Sequence, residues 1–317
     1  MVSRDTPYHI QNRIPTQFFL HERYKNVHMQ KLFLIPFILL LFTAGCTTDA
    51  PPVADEPYIL LIEPSDPFPT VSGQGMYVNI ITAGTATLPV SYNLGYVTIP
   101  PGNATPPHRL LGTSELVYVI DGVARIQCDS KTVEATAGEL VLLPEGVLQS
   151  IESIGESDLR YLSANQPQYT YDIDIRDDDL IPLQNTTHAD PIIISDPAGG
   201  IEWDYDTGTL IYTLINPVLM PEMDIPINYS VAYAQIRPGG SIVENRLTDS
   251  TDLIYVVEGG IVIRAGDGVE YTIPSGKAAL FPPGKPKEIK NTGTTDAVIL
   301  SIVDPAWRPE NFEMIKE

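Results

Sequence analysis

Ile99-Pro-Pro-Gly102, His108-Arg-Leu110, Glu115 and Leu116-Val-Tyr-Val-Ile120 with Gly122, then Gly138 and Pro144-Glu-Gly146, make a frame that the chain writes twice. The second version reads Ile236-Arg-Pro-Gly239, Asn245-Arg-Leu247, Asp252 and Leu253-Ile-Tyr-Val-Val257 with Gly259, then Gly276 and Pro282-Pro-Gly284. The offset is 137 residues from Ile99/Ile236 to Gly122/Gly259, and 138 from Gly138/Gly276 to Pro167/Pro305. Solenoid units repeat at roughly 20–50 residues, so a period this long marks two similar domains. What the chain does then turns on the side chains each copy keeps at the interior positions of its frame.

Short runs with strand composition recur at 91–99, 115–120, 124–127, 131–135 and 140–143, then at 230–236, 252–257, 261–264, 270–273 and 278–281. Gly, Pro, Asp or Asn bounds each run, which is the turn chemistry of hairpins. Ala265-Gly-Asp-Gly268 predicts one such turn. A 3.6-residue period long enough for a substantial helix is almost absent. The fold class read from this pattern is all-β, a sandwich or barrel, since closing the sheet removes edges that otherwise aggregate.

Upstream, Met29-Gln-Lys31, the apolar run 32–42 and Thr43-Ala-Gly-Cys46 read as a secretory signal. The run falls short of the roughly 20 residues that span a bilayer, which argues against a transmembrane anchor. Its small-small-Cys ending resembles the lipobox of prokaryotic lipoproteins. That resemblance implies a diacylglyceryl group on Cys46, cleavage before it, and attachment to the membrane at the outer face of the cell envelope. Residues 1–28 then read as an upstream extension, 29–45 as the signal peptide, and 46–57, with Pro51, Pro52 and Pro57, as a tether. The expected domains are 58–172 and 191–317, joined by a linker at 173–190, and the stretch from about 173 to 200 is rich in Asp and Pro.

The whole chain sets 19 Lys and Arg against 40 Asp and Glu; without the five basic and two acidic side chains of 1–45, 14 face 38 and the net charge is −24. Such a surface repels phosphate backbones, so nucleic acid is excluded as a partner. The 272 residues of 46–317 suffice for two domains of ordinary size. With Cys46 assigned to lipid, no intramolecular disulfide is expected, and Cys128 reads as a strand residue.

The frame resembles the cupin superfamily, whose two motifs run Gly-x5-His-x-His-x3-4-Glu-x6-Gly and Gly-x5-Pro-x-Gly-x2-His-x3-Asn. Here Gly102-x5-His108-x-Leu110-x4-Glu115-x6-Gly122 matches the first save for one His. Gly138-x5-Pro144-x-Gly146-x2-Gln149 matches the second save for its His, and Ser153 replaces the Asn. The second copy gives Gly239-x5-Asn245-x-Leu247-x4-Asp252-x6-Gly259 and Gly276-x5-Pro282-x-Gly284-x2-Lys287-x3-Asn291. The resemblance covers nearly all of 46–317 and implies a bicupin, two tandem jelly-roll-like β-barrels after a lipoprotein signal peptide.

In metal-bearing cupins the two His and the Glu of the first motif, with the His of the second, hold Mn, Fe, Ni, Cu or Zn. Carried across, the first copy offers His108, Leu110, Glu115 and Gln149, and the second Asn245, Leu247, Asp252 and Lys287. A neutral amide is a poor ligand for borderline metals, and catalytic zinc keeps three good protein ligands. The one other histidine of 46–317 is His188, in the linker. No cofactor is therefore expected; the competing expectation is a divalent metal held weakly by His108, Glu115 and Gln149. His108 and Glu115 stand open between a remnant metal pair, an acid–base pair, contacts of a ligand pocket and a structural contact. Lys287 either places its ammonium where a metal would sit and pairs with Asp252, or snorkels to the barrel mouth. Strand parity predicts Arg109 and Arg246 outward, at surface or interdomain contacts. Trp203, Trp307 and the tyrosines line a sugar or aromatic site or serve strand packing, and Asp177-Asp-Asp179 reads as a solvated turn rather than a calcium loop.

The function expected is that of a lipid-anchored extracytoplasmic bicupin that binds a small molecule or partner protein, with His108, Glu115, Gln149, Asn245, Asp252 and Lys287 as candidate ligand-binding residues. The alternative is a metal-dependent enzyme of the oxalate decarboxylase or dioxygenase kind, to which bicupins are often similar, acting through the first barrel. Cupin barrels commonly pair through sheet edges, a contact that a bicupin can make within one chain or between copies.

Overall fold

The computed structural model describes residues 57–82, 88, 90–176, 190–204 and 207–315. The expected signal peptide, Cys46, Asp177-Asp-Asp179 and His188 lie outside the described residues. In chain order the first strands are β1 (Leu60–Ile62), β2 (Phe68–Pro69), β3 (Met76–Ile81), β4 (Asn93–Ile99), β5 (His108–Leu110) and β6 (Ser114–Asp121). Next come β7 (Val123–Cys128), β8 (Lys131–Thr136), β9 (Leu140–Leu143), β10 (Gln149–Ser153), β11 (Leu159–Gln166), β12 (Asp174–Arg176) and β13 (Ile192–Ile194). Then follow β14 (Ile201–Asp204), β15 (Thr209–Ile215), β16 (Ser230–Ile236), β17 (Ser241–Leu247), β18 (Thr251–Glu258) and β19 (Gly260–Ala265). The last are β20 (Glu270–Pro274), β21 (Ala278–Phe281), β22 (Lys287–Lys290), β23 (Ala297–Asp304) and β24 (Phe312–Met314). Among the described residues the remaining regular structure is short 3-10 turns, so the chain is all-β. The expected turn at Ala265 joins β19 to β20, with Gly268 at φ 83° donating its N–H to the Ala265 carbonyl.

The first barrel sets a seven-stranded sheet, β13-β9-β6-β11-β4-β3-β2, against a five-stranded one, β12-β5-β10-β7-β8. The second repeats this with β1-β21-β18-β23-β16-β15-β14 and β20-β19-β22-β17-β24. Alternation explains the apolar runs of the frame. Val117 and Val119 of β6 face the first barrel's interior, and Ile254 and Val256 of β18 face the second's. Leu116, Tyr118, Leu253 and Tyr255 point the other way, into one apolar cluster shared by both barrels. A strand buried on both faces must be apolar throughout, and both runs are.

The repeat becomes a pseudo-twofold relation at this interface. Tyr92 and Tyr229 are equivalent positions, and their ring centroids lie 5.1 Å apart. Gln166 accepts the Asn228 backbone N–H on Oε1 at 2.5 Å, while its equivalent Asp304 accepts the Ser91 N–H on Oδ2 at 2.6 Å.

Sheet pairing crosses the boundaries expected from the sequence. Strand β12 pairs with β5, and β13 pairs with β9, Ile192 opposite Leu142, so parts of the expected linker and second domain complete the first barrel. Reciprocally, β1 pairs with β21, Leu60 opposite Leu280, and completes the second. The physical reason is edge protection: β9 and β21 would otherwise end their sheets with unpaired N–H and C=O groups. The strand leading into each barrel covers the edge of the other.

Candidate functional site

Residues two apart on a strand share a face, and β5 accordingly points His108 and Leu110 into the first barrel, where both are buried. Pairing of β5 with β10 sets Gln149 opposite His108. Strand β6 supplies Glu115, and its neighbour β11 supplies Ser163 and Asn165 on the same side. The Gln149 amide nitrogen Nε2 lies 2.5 Å from Glu115 Oε2 and 3.3 Å from His108 Nε2. Ser163 Oγ donates to Glu115 Oε1 at 2.6 Å, and Asn165 Nδ2 donates to Ser163 Oγ at 3.2 Å. A carboxylate only accepts, so the amide must turn its NH₂ toward Glu115. The second amide hydrogen then meets a lone pair on His108 Nε2. His108 Nδ1 lies 2.9 Å from the Pro106 carbonyl and donates to it. These contacts set His108 Nδ1 toward a backbone acceptor and Nε2 toward the Gln149 amide.

The second barrel repeats the arrangement with one change of charge. Lys287 Nζ lies 2.9 Å from Asp252 Oδ2 and 3.4 Å from Asn245 Oδ1, and 5.2 Å above the centre of the Phe281 ring. Ser301 Oγ donates to Asp252 Oδ1 at 2.7 Å, as Ser163 does to Glu115. The internal ion pair is thus the alternative that the structure takes for Lys287. Sequence reasoning passed over the two serines, although the offset of 138 that aligns Gly138 with Gly276 also aligns Ser163 with Ser301.

Around these cores the barrels differ in room. The first encloses a cavity of about 430 Å³, within the size range of small-molecule sites. Its walls include Tyr77, Tyr161 and Tyr169, and its mouth carries the exposed side chains of Phe68, Val71 and Tyr171. The Tyr77 ring lies across Gly95, where a Cβ would fall 2.0 Å from the ring. Burial first, and then the Glu115 charge, push the Tyr77 and Tyr161 phenols up and keep them protonated. On β12, Asp174 Oδ2 takes hydrogen bonds from Tyr169 Oη at 2.8 Å and Arg176 Nη2 at 2.6 Å. Asn165 Oδ1, Asp174 Oδ1 and Arg176 Nε are buried in this wall with no hydrogen-bond partner among the described residues. The sequence pointed to the tyrosines only as a group, and it did not mark Asn165, Asp174 or Arg176.

The second cavity is about 110 Å³, lined mainly by aliphatic side chains. Trp203 and Trp307 pack edge to face at 5.3 Å, with Phe312 5.9 Å from Trp307, so they line this interior and pack on one another. Arg109 corrects its expectation of a surface or interdomain position. It points away from the cavity, yet it is buried and donates from Nη1 to Asp129 at 3.1 Å and to the Gly146 carbonyl at 2.7 Å. Two turns fold over it and use its guanidinium as their shared donor. Arg246 is half-buried and pairs with Glu313 at 2.6 Å. Among the described residues no three His, Cys, Asp or Glu side chains converge.

A sequence profile described as "Cupin domain" matches residues 95–165 and 232–303. Among solved structures, the formate complex of Lactobacillus farciminis oxalate decarboxylase superposes with a TM-score of 0.61 at 13% identity, covering 82% of this chain and 89% of that one. Oxalate decarboxylase from Bacillus subtilis at pH 4.6 gives a TM-score of 0.62 at 12% identity over 82% of this chain and 78% of its own. At these identities the likeness is one of fold. Uncharacterized protein MJ1618 of Methanocaldococcus jannaschii is 25% identical over 83 residues, which are 26% of this chain and span 66% of the relative's length.

Proposed function

Since the chain belongs to the cupin superfamily and carries two cupin domains in tandem, we propose that it is a small-molecule-binding bicupin that works without a transition metal. In this reading it is tethered outside the cytoplasm through a lipid on Cys46, and the first barrel holds the ligand. The observation that carries the proposal is the Gln149 amide nitrogen set between Glu115 and His108.

The residues at the family's ligand positions do not fit a transition metal. An amide nitrogen has no free lone pair to give, and Gln149 turns that atom toward both of its neighbours. Leu110 adds an apolar surface where a second imidazole would stand. The carboxylate oxygens of Glu115 already accept from Gln149 and Ser163. In the second barrel the Lys287 ammonium supplies the positive charge itself, and little room is left. That barrel serves as the structural partner, and the 430 Å³ cavity of the first is the binding site.

Elemental analysis of the full chain, purified without chelators, tests the metal-free reading. Less than a tenth of an equivalent of Mn, Fe or Zn is expected, together with a melting temperature unchanged by adding their salts. Near-stoichiometric metal that disappears in His108→Ala would overturn it in favour of an enzyme working through the first barrel.

A further inference from the structure

Glu115 and Asp252 are equivalent buried carboxylates, each holding a serine hydroxyl, but they are compensated differently. Asp252 has an ammonium 2.9 Å away, and that ammonium rests against an aromatic ring. Glu115 has hydrogen bonds from two neutral donors and no cation within 4.0 Å among the described residues. Leaving a buried charge without a counter-ion is costly. The other charges in the first cavity do not make up the difference. Arg176 is committed to Asp174 at 2.6 Å, so this pair is neutral as a unit, and His108 turns its Nε2 to the Gln149 amide rather than to Glu115.

The walls supply what an organic cation needs besides a carboxylate. Phe68 and Tyr77 pack with ring centroids 5.5 Å apart, and Tyr169 and Tyr171 with centroids 5.8 Å apart, with Tyr161 deeper in the cavity. Ring faces attract cations, most strongly where water is excluded. Asn165 Oδ1 and Asp174 Oδ1, both buried and without a partner among the described residues, add acceptors in the same wall. The chain's net charge of −21 favours the approach of cations over that of anions.

Resting on the small-molecule reading above, we infer that the first barrel binds a small organic ammonium ion, its charged head lodged between Glu115 and the tyrosines. The second barrel shows the same recognition made internal, with Lys287 as the permanent occupant.

The test is calorimetric titration of the full chain with four probes: tetramethylammonium, its neutral isostere tert-butanol, oxalate, and manganese(II). The inference expects tetramethylammonium to bind roughly tenfold or more tightly than tert-butanol, and Glu115→Gln to abolish that preference. Tyr77→Leu should weaken the cation without weakening tert-butanol, a check independent of Glu115, and circular dichroism establishes that each variant is folded. If tert-butanol binds as tightly as the cation, the ammonium assignment falls and the cavity reading stands. Binding of manganese alone, of oxalate only in its presence, or of no probe at all overturns both.

Discussion

Lys287 and Asp252 form an ion pair inside the second barrel, Nζ to Oδ2 at 2.9 Å, with both side chains more than nine-tenths buried. Each charge is tolerable only because the other is there, and the positive one stands at the frame position that Gln149 holds in the first barrel.

Removing one partner of such a pair leaves the other charged and unpaired. Lys287→Met is expected to lower unfolding free energy by about 3–5 kcal/mol in urea denaturation, and adding Asp252→Leu should recover part of the loss. In Lys287→Ala, added n-propylammonium should raise the melting temperature by refilling the vacated place. Equal stability of wild type and Lys287→Met would show that the pair contributes nothing.

Adding imidazoles asks whether the frame can hold a metal. Leu110→His combined with Gln149→His places three imidazoles and Glu115 on strands that already face one another. Near-stoichiometric zinc or manganese is expected in the double variant by elemental analysis, against a wild type that takes up little. A double variant that folds and stays metal-free would mean that ligand identity alone does not make a metal site in this frame.

The ring of Tyr77 occupies space that only glycine at position 95 leaves open. Gly95→Ala should therefore displace the ring, reduce tetramethylammonium binding several-fold and cost about 1–3 kcal/mol of stability. Unchanged binding together with an unchanged melting temperature would count against Tyr77 as a fixed wall of the site.

Burial raises the phenols of Tyr77, Tyr92, Tyr161 and Tyr229 above their ordinary value of 10.0. The unfolded chain gives up those protons near pH 10 while the folded chain keeps them, so the unfolded state binds fewer protons there and stability falls as pH rises. Below that pH the contribution is fully present. Tyrosinate absorbance should show these four phenols silent until the far-ultraviolet circular dichroism signal collapses. Their titration near pH 10 in a protein that keeps its strand signal would contradict the buried placement.

The glycine and proline frame was legible because turn geometry is local: Gly102, Gly122 and Gly138 sit at positive φ, and so do Gly239, Gly259 and Gly276. The interior positions followed from counting along that frame, and His108, Glu115 and Gln149 do meet. Spacing alone did not give what surrounds them. Asn165, Tyr169, Asp174 and Arg176 reach the cavity through strand β11, the turn after it and β12, and no motif marks those segments. Nor did periodicity reveal that β1 and β13 trade places. A three-residue apolar strand looks the same whichever sheet it joins, and only the free edge of β9 or β21 decides where it goes.

That exchange bears on how such a chain can change over time. Neither half can be excised as a self-sufficient unit, since a cut between them strips one strand from each barrel. A lineage that no longer uses the chemistry of the second barrel must still inherit it, because the first is stitched shut by residues 192–194 and the second by residues 60–62. Drift at interior positions such as Asn245 can then proceed so long as the buried Lys287–Asp252 pair stays intact, while deletion cannot. The second barrel persists as a clasp.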